Sequence, residues 1–398
     1  MQAMILAAGR GTRVRPLTNA LPKPMIPILN KPIMEYLVDH LAHHDVRDIM
    51  VNTSYMASAI EDYFRDGARF GVNMAYSFEG RLEKGQIVDD PVGSAGAIRR
   101  IQEHAGFFND TFVVLCGDAL IDVDLTELVR RHKESGALAT IAATSVPMNE
   151  VMHYGVIVRD DAGRVESFQE KPSRSEALSN LVNTGIYIFE PEVIAHIPAG
   201  ENYDIGSQLF PSLLKAGAHI QAEEMNFQWL DIGRTDDYFN TVQTILRGHV
   251  KNMPMPGRQI APGVWAGLNV SIDLSQVNIV PPIYIGSSST IEEGCTLIGP
   301  VYIGNGCQVE TNAHVEESVL FDYTRIGYCA SVIDKMICGD YCVESSGDSI
   351  NIADSDIGWV IADARTPKSP LNAQQLQLQQ TLDELSKNQE STPQAIAV

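Results

Sequence analysis

The chain has 398 residues, with 29 Lys+Arg against 50 Asp+Glu and a formal net charge of −21. So acidic a chain lacks the basic footprint of a general nucleic-acid or membrane-surface binder, and any anionic substrate must be met by a local basic site. Apolar residues make up 44%, ordinary for a globular protein; no run reaches the ~18 apolar residues of a membrane span, and the short apolar start MQAMIL has no basic leader before it, which together predict a cytoplasmic protein.

Residues 1–248 alternate strand with helix. Apolar, β-rich runs at Ala3–Ala8, Asp48–Ser54, Val72–Phe78, Phe112–Cys116 and Ala137–Val146 predict strands, with helical patterns between them. In 32–46, Ile33, Leu37, Val38 and Leu41 recur at steps of three or four, the spacing of one helix face. This alternation predicts an α/β fold with a mostly parallel sheet covered by helices on both faces. Gly155–Arg159, Val165–Phe168 and Val182–Phe189 read as strands without intervening helices, a β-rich insertion, and Asp236–Leu246 reads as a closing helix. The Pro/Gly stretch Met253–Gly257 follows, so a first domain is placed at 1–250.

The second region changes period. Ile285, Ile291, Leu297, Ile303, Val309 and Val315 are six residues apart, and after a slip of one the series resumes at Leu320, Ile326 and Val332. A six-residue apolar period fits no helix and predicts stacked short strands, a β-helix over 258–350. The segment 366–398 is rich in Gln, Ser, Asn and Pro; it is expected to be mostly disordered, with Leu376, Leu378, Leu382 and Leu385 able to form a short helix. The six cysteines show no C-x2-C pair, so they are read as small thiols rather than a zinc site or disulfide framework.

Chemistry concentrates first at Leu6-Ala7-Ala8-Gly9-Arg10-Gly11-Thr12-Arg13, directly after the first strand, where ligand crevices form in α/β sheets. Gly9 and Gly11 permit a tight turn whose N–H groups can face phosphates, and Arg10, Arg13, Arg15 and Lys23 make a local basic exception on an acidic chain. The loop is neither a Walker A nor a G-x-G-x-x-G motif.

Residues 4–33, MILAAGRGTRVRPLTNALPKPMIPILNKPI, closely resemble the signature of sugar-1-phosphate nucleotidylyltransferases. Further blocks follow in that family's order: Val92-Gly93-Ser94-Ala95-Gly96, Leu115-Cys116-Gly117-Asp118, Tyr154-Gly155-Val156, Glu170-Lys171-Pro172, Asn183-Thr184-Gly185 and Trp229-Leu230-Asp231-Ile232-Gly233. The resemblance implies a Rossmann-like nucleotidyltransferase domain, then a left-handed parallel β-helix of hexapeptide repeats serving assembly or regulation, and hence a homo-oligomer. It also implies an in-line attack by a hexose 1-phosphate oxygen on the α-phosphorus of a nucleoside triphosphate. That nucleophile is already anionic at pH 7, its second pKa being about 6, so no general base is needed. The protein must instead offset repulsion between anions with Mg2+, Arg and Lys.

By the same resemblance, Leu6, Ala7, Ala8, Gly9, Gly11, Thr12 and Arg13 wrap the triphosphate. Arg13 and Lys23 stabilise developing charge, and Asp118 and Asp231 hold Mg2+. Lys171 holds the sugar phosphate, while Gly155, Glu170, Asn183 and Thr184 meet the sugar. Gly93 and Ser94 approach the base by backbone. The stretch from Glu79 to Pro91 departs from the family in being longer and charged. A carboxylate at Glu79 would accept from the N–H donors of guanine, and the overall resemblance leans towards mannose-1-phosphate guanylyltransferase-like proteins, so GTP and mannose 1-phosphate are the expected substrates, with UTP or dTTP and glucose 1-phosphate as the alternative. Two other classes remain open: a catalytically silent regulatory paralogue, and a bifunctional enzyme with His314 as an acyltransfer base in the β-helix.

Overall fold

The computed structural model describes residues 1–84, 86–355, 357–368 and 370–389. Two compact units divide at Gly233/Arg234.

The first unit is built on one nine-stranded mixed sheet. In chain order its elements are β1 (Gln2–Leu6), α1 (Ile33–His43), β2 (Asp48–Thr53), α2 (Ala57–Phe64), β3 (Asn73–Phe78), α3 (Ser94–Ala105), β4 (Phe112–Cys116), α4 (Leu125–Ser135), β5 (Ala139–Ser145), β6 (Gly155–Arg159), β7 (Val165–Glu170), β8 (Leu181–Phe189) and β9 (Ile220–Glu224). The order is β7-β6-β8-β4-β1-β2-β3, with β5 paired to β8 and to β9. The four strands β4, β1, β2 and β3 are parallel. They are near-continuous apolar runs because both faces are covered. Met4, Met50, Phe112 and Val114 point into one core with α3, whereas Ala3, Ile5, Ile49, Val51, Val113 and Leu115 point into the other with α1, α2 and α4. The two-residue period of a strand makes that division.

β6, β7 and β8 are the expected β-rich insertion, and all their pairings are antiparallel. β8 pairs with β5 across a register shift between Ile141 and Ala143. On one side of this bulge the strand lies beside β4 at Ile186–Phe189, and on the other beside β6 at Val182.

The second unit begins with a helix, Thr235–Leu246, whose buried Tyr238 stacks near Phe321 with ring centroids 5.6 Å apart. This helix lies on the second unit's side of the division. Three stacks of short, mostly parallel strands follow, consistent with a β-helix. Ile285 pairs with Ile303 and Leu297 with Val315, an 18-residue rung, and then Val309 with Ile326 and Val315 with Val332, a 17-residue one. Every aliphatic residue of the six-residue series is buried. The strands run beyond residue 350, since Ile361–Asp363 pairs antiparallel with Thr324–Ile326. The tail differs from expectation over its described part: Ala373–Gln389 is one helix, and 390–398 lie outside the described residues. No described helix is long and apolar enough to cross a membrane.

Candidate active site

β2 and β3 lie on one side of β1 and β4 on the other. The loops after β1 and β4 thus open a crevice at the carboxyl edge of the sheet, the switch point where α/β folds take ligands.

The two glycines of the first loop have different reasons to be there. Gly11 has φ +59°, and a Cβ would lie 2.9 Å from Thr18 Cγ2 and 3.0 Å from Lys23 Cβ. The backbone itself demands glycine, and the Thr18 hydroxyl donates to the Gly11 carbonyl at 2.9 Å. Gly9 has no such constraint: its φ is not left-handed and a Cβ would meet nothing within 4 Å. Its missing side chain leaves open space at the mouth of the crevice, where a ligand can approach backbone N–H groups. Of the loop arginines, Arg10 pairs with Asp89 at 3.1 Å, while Arg13 is exposed and, among the described residues, pairs with no carboxylate.

Behind the loop, the Pro22-Lys23-Pro24 segment folds onto the start of the next one. Gly117 passes so close to β1 that a Cβ would lie 2.8 Å from the Leu6 carbonyl and 3.4 Å from Pro24. This approach lets Lys23, 8% exposed, reach Asp118 Oδ2 at 2.5 Å. Asp231 comes to the same place through a two-stranded antiparallel pairing in which Asp231 faces Ala119. The Ile232 N–H donates to the Asp118 carbonyl at 3.2 Å. Burial pushes the Cys116 thiol pKa up, the charges of Asp118 and Asp231 push it further, and Lys23 opposes them. Two such oxygen donors fit a hard cation that completes its shell with phosphate and water oxygens. Among the described residues no cluster of three or more His, Cys, Asp or Glu forms an all-protein metal cage.

On the opposite side of the crevice the structure corrects the expectation for Glu79. Glu79 is 1% exposed and presents no carboxylate to a base edge. Its Oε1 accepts from Asn52 Nδ2 at 2.7 Å and its Oε2 from the Val92 N–H at 3.1 Å. Burial raises its pKa, while those two hydrogen bonds and the charge of Arg100 oppose the shift. The longer, charged stretch after it is an antiparallel hairpin, Gly80–Glu83 with Gln86–Asp89, whose Asp89 holds Arg10.

The Ser94 hydroxyl donates to Asp204 at 2.8 Å and accepts from the Ile205 N–H at 2.8 Å, leaving its backbone as the part that can approach a base. Burial raises the Asp204 pKa, but hydrogen bonds from the Ser207 N–H and from the Ser94 and Ser207 hydroxyls prevail and hold it below the usual value. The N-terminus of α3 is closed by the Tyr203 carbonyl, which accepts from Ala95 and Gly96, each at 2.9 Å. What remains open to a base is the backbone around Gly93, at φ +78°.

On the sugar side, Gly155 pairs with Glu170 in register, and a Cβ on Gly155 would meet Phe168 at 2.6 Å and Glu170 Oε2 at 3.3 Å. Lys171, in a left-handed conformation at φ 46°, sits 3.4 Å from Glu170 and is half exposed. Asn183 donates to the Tyr187 hydroxyl at 2.9 Å. Thr184 is corrected: it is 3% exposed and its hydroxyl donates to the Ala142 carbonyl at 2.7 Å, while Asn183 Oδ1 accepts from the Gly185 N–H at 3.0 Å. In the second unit, His314 lies 2.9 Å from Glu316.

The sequence reading missed Asn52 and Tyr203. Asn52 had a signal: it is a polar residue at the carboxyl end of a buried parallel strand, beside the glycine loop. Tyr203 acts through its carbonyl, which no side-chain pattern reveals.

Residues 2–248 match the nucleotidyl transferase family. The chain is 51% identical over 365 residues to a UTP–glucose-1-phosphate uridylyltransferase of Synechocystis sp., covering 92% of this chain and 94% of that one. It is 30% identical over 328 residues to a mannose-1-phosphate guanylyltransferase of Mycobacterium tuberculosis, covering 82% and 81%. A crystal structure of a glucose-1-phosphate thymidylyltransferase from Bacillus anthracis, described as putative and in complex with a sucrose, superposes with a TM-score of 0.53 at 24% identity over 64% of this chain and 96% of that one, a likeness of fold.

Proposed function

The chain belongs to the nucleotidyl transferase family, and from that premise we propose that it transfers a uridylyl group from UTP to glucose 1-phosphate, giving UDP-glucose and pyrophosphate. The observation that carries the choice is the 51% identity over nearly the whole of both chains to a UTP–glucose-1-phosphate uridylyltransferase, against 30% to a guanylyltransferase. Burial of Glu79 removes the feature that favoured guanine.

In this reading the loop 7–13 receives the triphosphate on backbone N–H groups, with Gly9 leaving room for it. Arg13, exposed and paired with no described carboxylate, closes on the phosphates and stabilises charge that develops toward the departing pyrophosphate. Lys23, held against Asp118, sets a fixed positive charge at the floor of the crevice. Glu170 and Asn183 orient sugar hydroxyls, and Lys171 turns from Glu170 to the sugar phosphate. Asp118 and Asp231 would hold Mg2+, which when bound supplies charge neutralisation between the two anionic substrates. The sugar phosphate attacks without deprotonation, so position and charge are what these residues contribute.

The test is pyrophosphate release from a matrix of four nucleoside triphosphates against glucose, mannose and N-acetylglucosamine 1-phosphates. UTP with glucose 1-phosphate is expected to give the highest kcat/KM. A higher value for GTP with mannose 1-phosphate overturns the substrate choice, and no turnover in any cell overturns the activity.

A further inference from the structure

We propose that Asn52 and Glu79 are positioning residues: together they hold the loop after β1 and the loop before α3 at one separation, and so set affinity for the nucleotide. The inference rests on the reading that this crevice takes a nucleoside triphosphate.

The polarity of the link is fixed from one end to the other. The Ala7 N–H donates to Asn52 Oδ1 at 2.8 Å. Because that end must accept, Asn52 turns its Nδ2 the other way and needs an acceptor, which Glu79 Oε1 provides at 2.7 Å. At the far end the Val92 N–H is a second donor, met by Glu79 Oε2 at 3.1 Å. Residue 79 must therefore accept at both ends, which a carboxylate does and an amide cannot.

Both side chains are buried, Asn52 at 3% and Glu79 at 1%, so a mismatched donor has no water to turn to. Each end is also anchored. Asn52 lies in β2 between Leu6 of β1 and Ser77 of β3. The Glu79 carbonyl accepts from Ser54 Oγ at 2.9 Å and from the Asp90 N–H at 3.1 Å. The Val92 carbonyl accepts from the Tyr203 N–H at 2.9 Å, and Tyr203 is the residue that caps α3. A change at Glu79 is thus felt at both loops, and neither Asn52 nor Glu79 touches substrate.

The test is a polarity exchange in the full-length protein. Glu79→Gln places an NH2 group against one donor, and Asn52→Asp sets two carboxylates face to face. The double variant restores every hydrogen bond with one negative charge kept, since the new carboxylate accepts from Ala7 and the new amide donates to it while accepting from Val92. Each single variant is expected to raise the KM for UTP about tenfold or more, the effect of one mismatched buried donor. The KM for glucose 1-phosphate should stay within about twofold, and the double variant should return to within about threefold of wild type.

Single effects that multiply in the double variant, or KM values for both substrates that rise together, overturn the proposal. If wild type turns over no substrate pair, the functional reading fails, and amide exchange in the ligand-free protein decides the inference instead. Either single substitution should speed exchange at both Ala7 and Val92, and the double should restore protection. Normal protection at the loop remote from each substitution, or a double variant that does not restore it, overturns the link. If the singles do not fold, a folded double variant with both amides protected supports it and an unfolded double overturns it.

Discussion

The Lys23 ammonium lies 2.5 Å from Asp118 Oδ2, although 95 residues separate the two in sequence. The contact ties the loop after β1 to the loop after β4, and it exists because Gly117 lets the second loop pass against Leu6 and Pro24. Lys23→Ala is expected to lower turnover by about 100-fold or more, the usual effect of removing one fixed donor from developing charge. The loss of stability should fall short of the ~3–5 kcal/mol of a fully buried pair broken on one side, since the Asp118 side chain keeps 29% exposure. Steady-state rates and a denaturant melt measure both, and a folded variant within tenfold of wild type removes Lys23 from the catalytic site.

Gly9 and Gly11 should separate under the same substitution. Gly11→Ala forces a left-handed alanine, about 1–2 kcal/mol, and adds contacts with Thr18 and Lys23 at 2.9 and 3.0 Å, so stability should fall. Gly9→Ala meets no protein atom and should stay within about 0.5 kcal/mol of wild type while the KM for the nucleotide rises. A Gly9→Ala protein with unchanged nucleotide KM means the ligand does not approach there.

Asp118 and Asp231 reach one place through strand pairing. Asp118→Asn and Asp231→Asn are each expected to raise the Mg2+ concentration needed for half-maximal rate. The double variant should be far less impaired than the product of the single effects, because both remove the same bound ion. A chelator should abolish activity and added Mg2+ restore it. Normal Mg2+ dependence in Asp231→Asn assigns that residue a structural role only.

Stability should fall on the acid side of neutrality. Burial, with the charge of His44, lowers the His40 pKa from its ordinary 6.5 to about 4, and its Nε2 lies 2.8 Å from the Val123 carbonyl. The nearby Asp122 opposes that shift and His43 adds to it, and burial lowers His44 and His132 as well. A folded pKa below the unfolded one means that the unfolded chain binds protons first as pH drops. The contribution is complete above pH 6.5 and is lost as pH falls from there toward 4. Urea midpoints across that range should decline, and His40→Gln should flatten the slope. An unchanged slope in that variant assigns the acid sensitivity elsewhere.

Much of this could be read along the chain. The strand at Phe112–Cys116 begins and ends where its apolar run does, because a parallel strand covered on both faces is written as a continuous apolar segment. The six-residue series from Ile285 marks the inward positions of the stacked strands for a similar reason: identical rungs repeat identical burial. The helix Thr235–Leu246 was visible as a helix, but its allegiance to the second unit depends on what Tyr238 packs against, which is not local information.

Within the crevice, the sequence by itself determined residue types and order: the glycine loop, Lys23, Asp118, Lys171 and Asp231 all lie in the ordered blocks that carry the family resemblance. Only the tertiary structure decided which side chains face the open space. Glu79 and Thr184 read as ligand contacts in one dimension, yet each meets its hydrogen-bonding need inside the protein, with Asn52 and Val92, and with the Ala142 carbonyl. The physical reason is that a buried polar group must find a partner wherever the fold brings one within about 3 Å. For these residues the partners lie 13 and 27 positions away for Glu79 and 42 away for Thr184, distances over which sequence spacing carries no orientation.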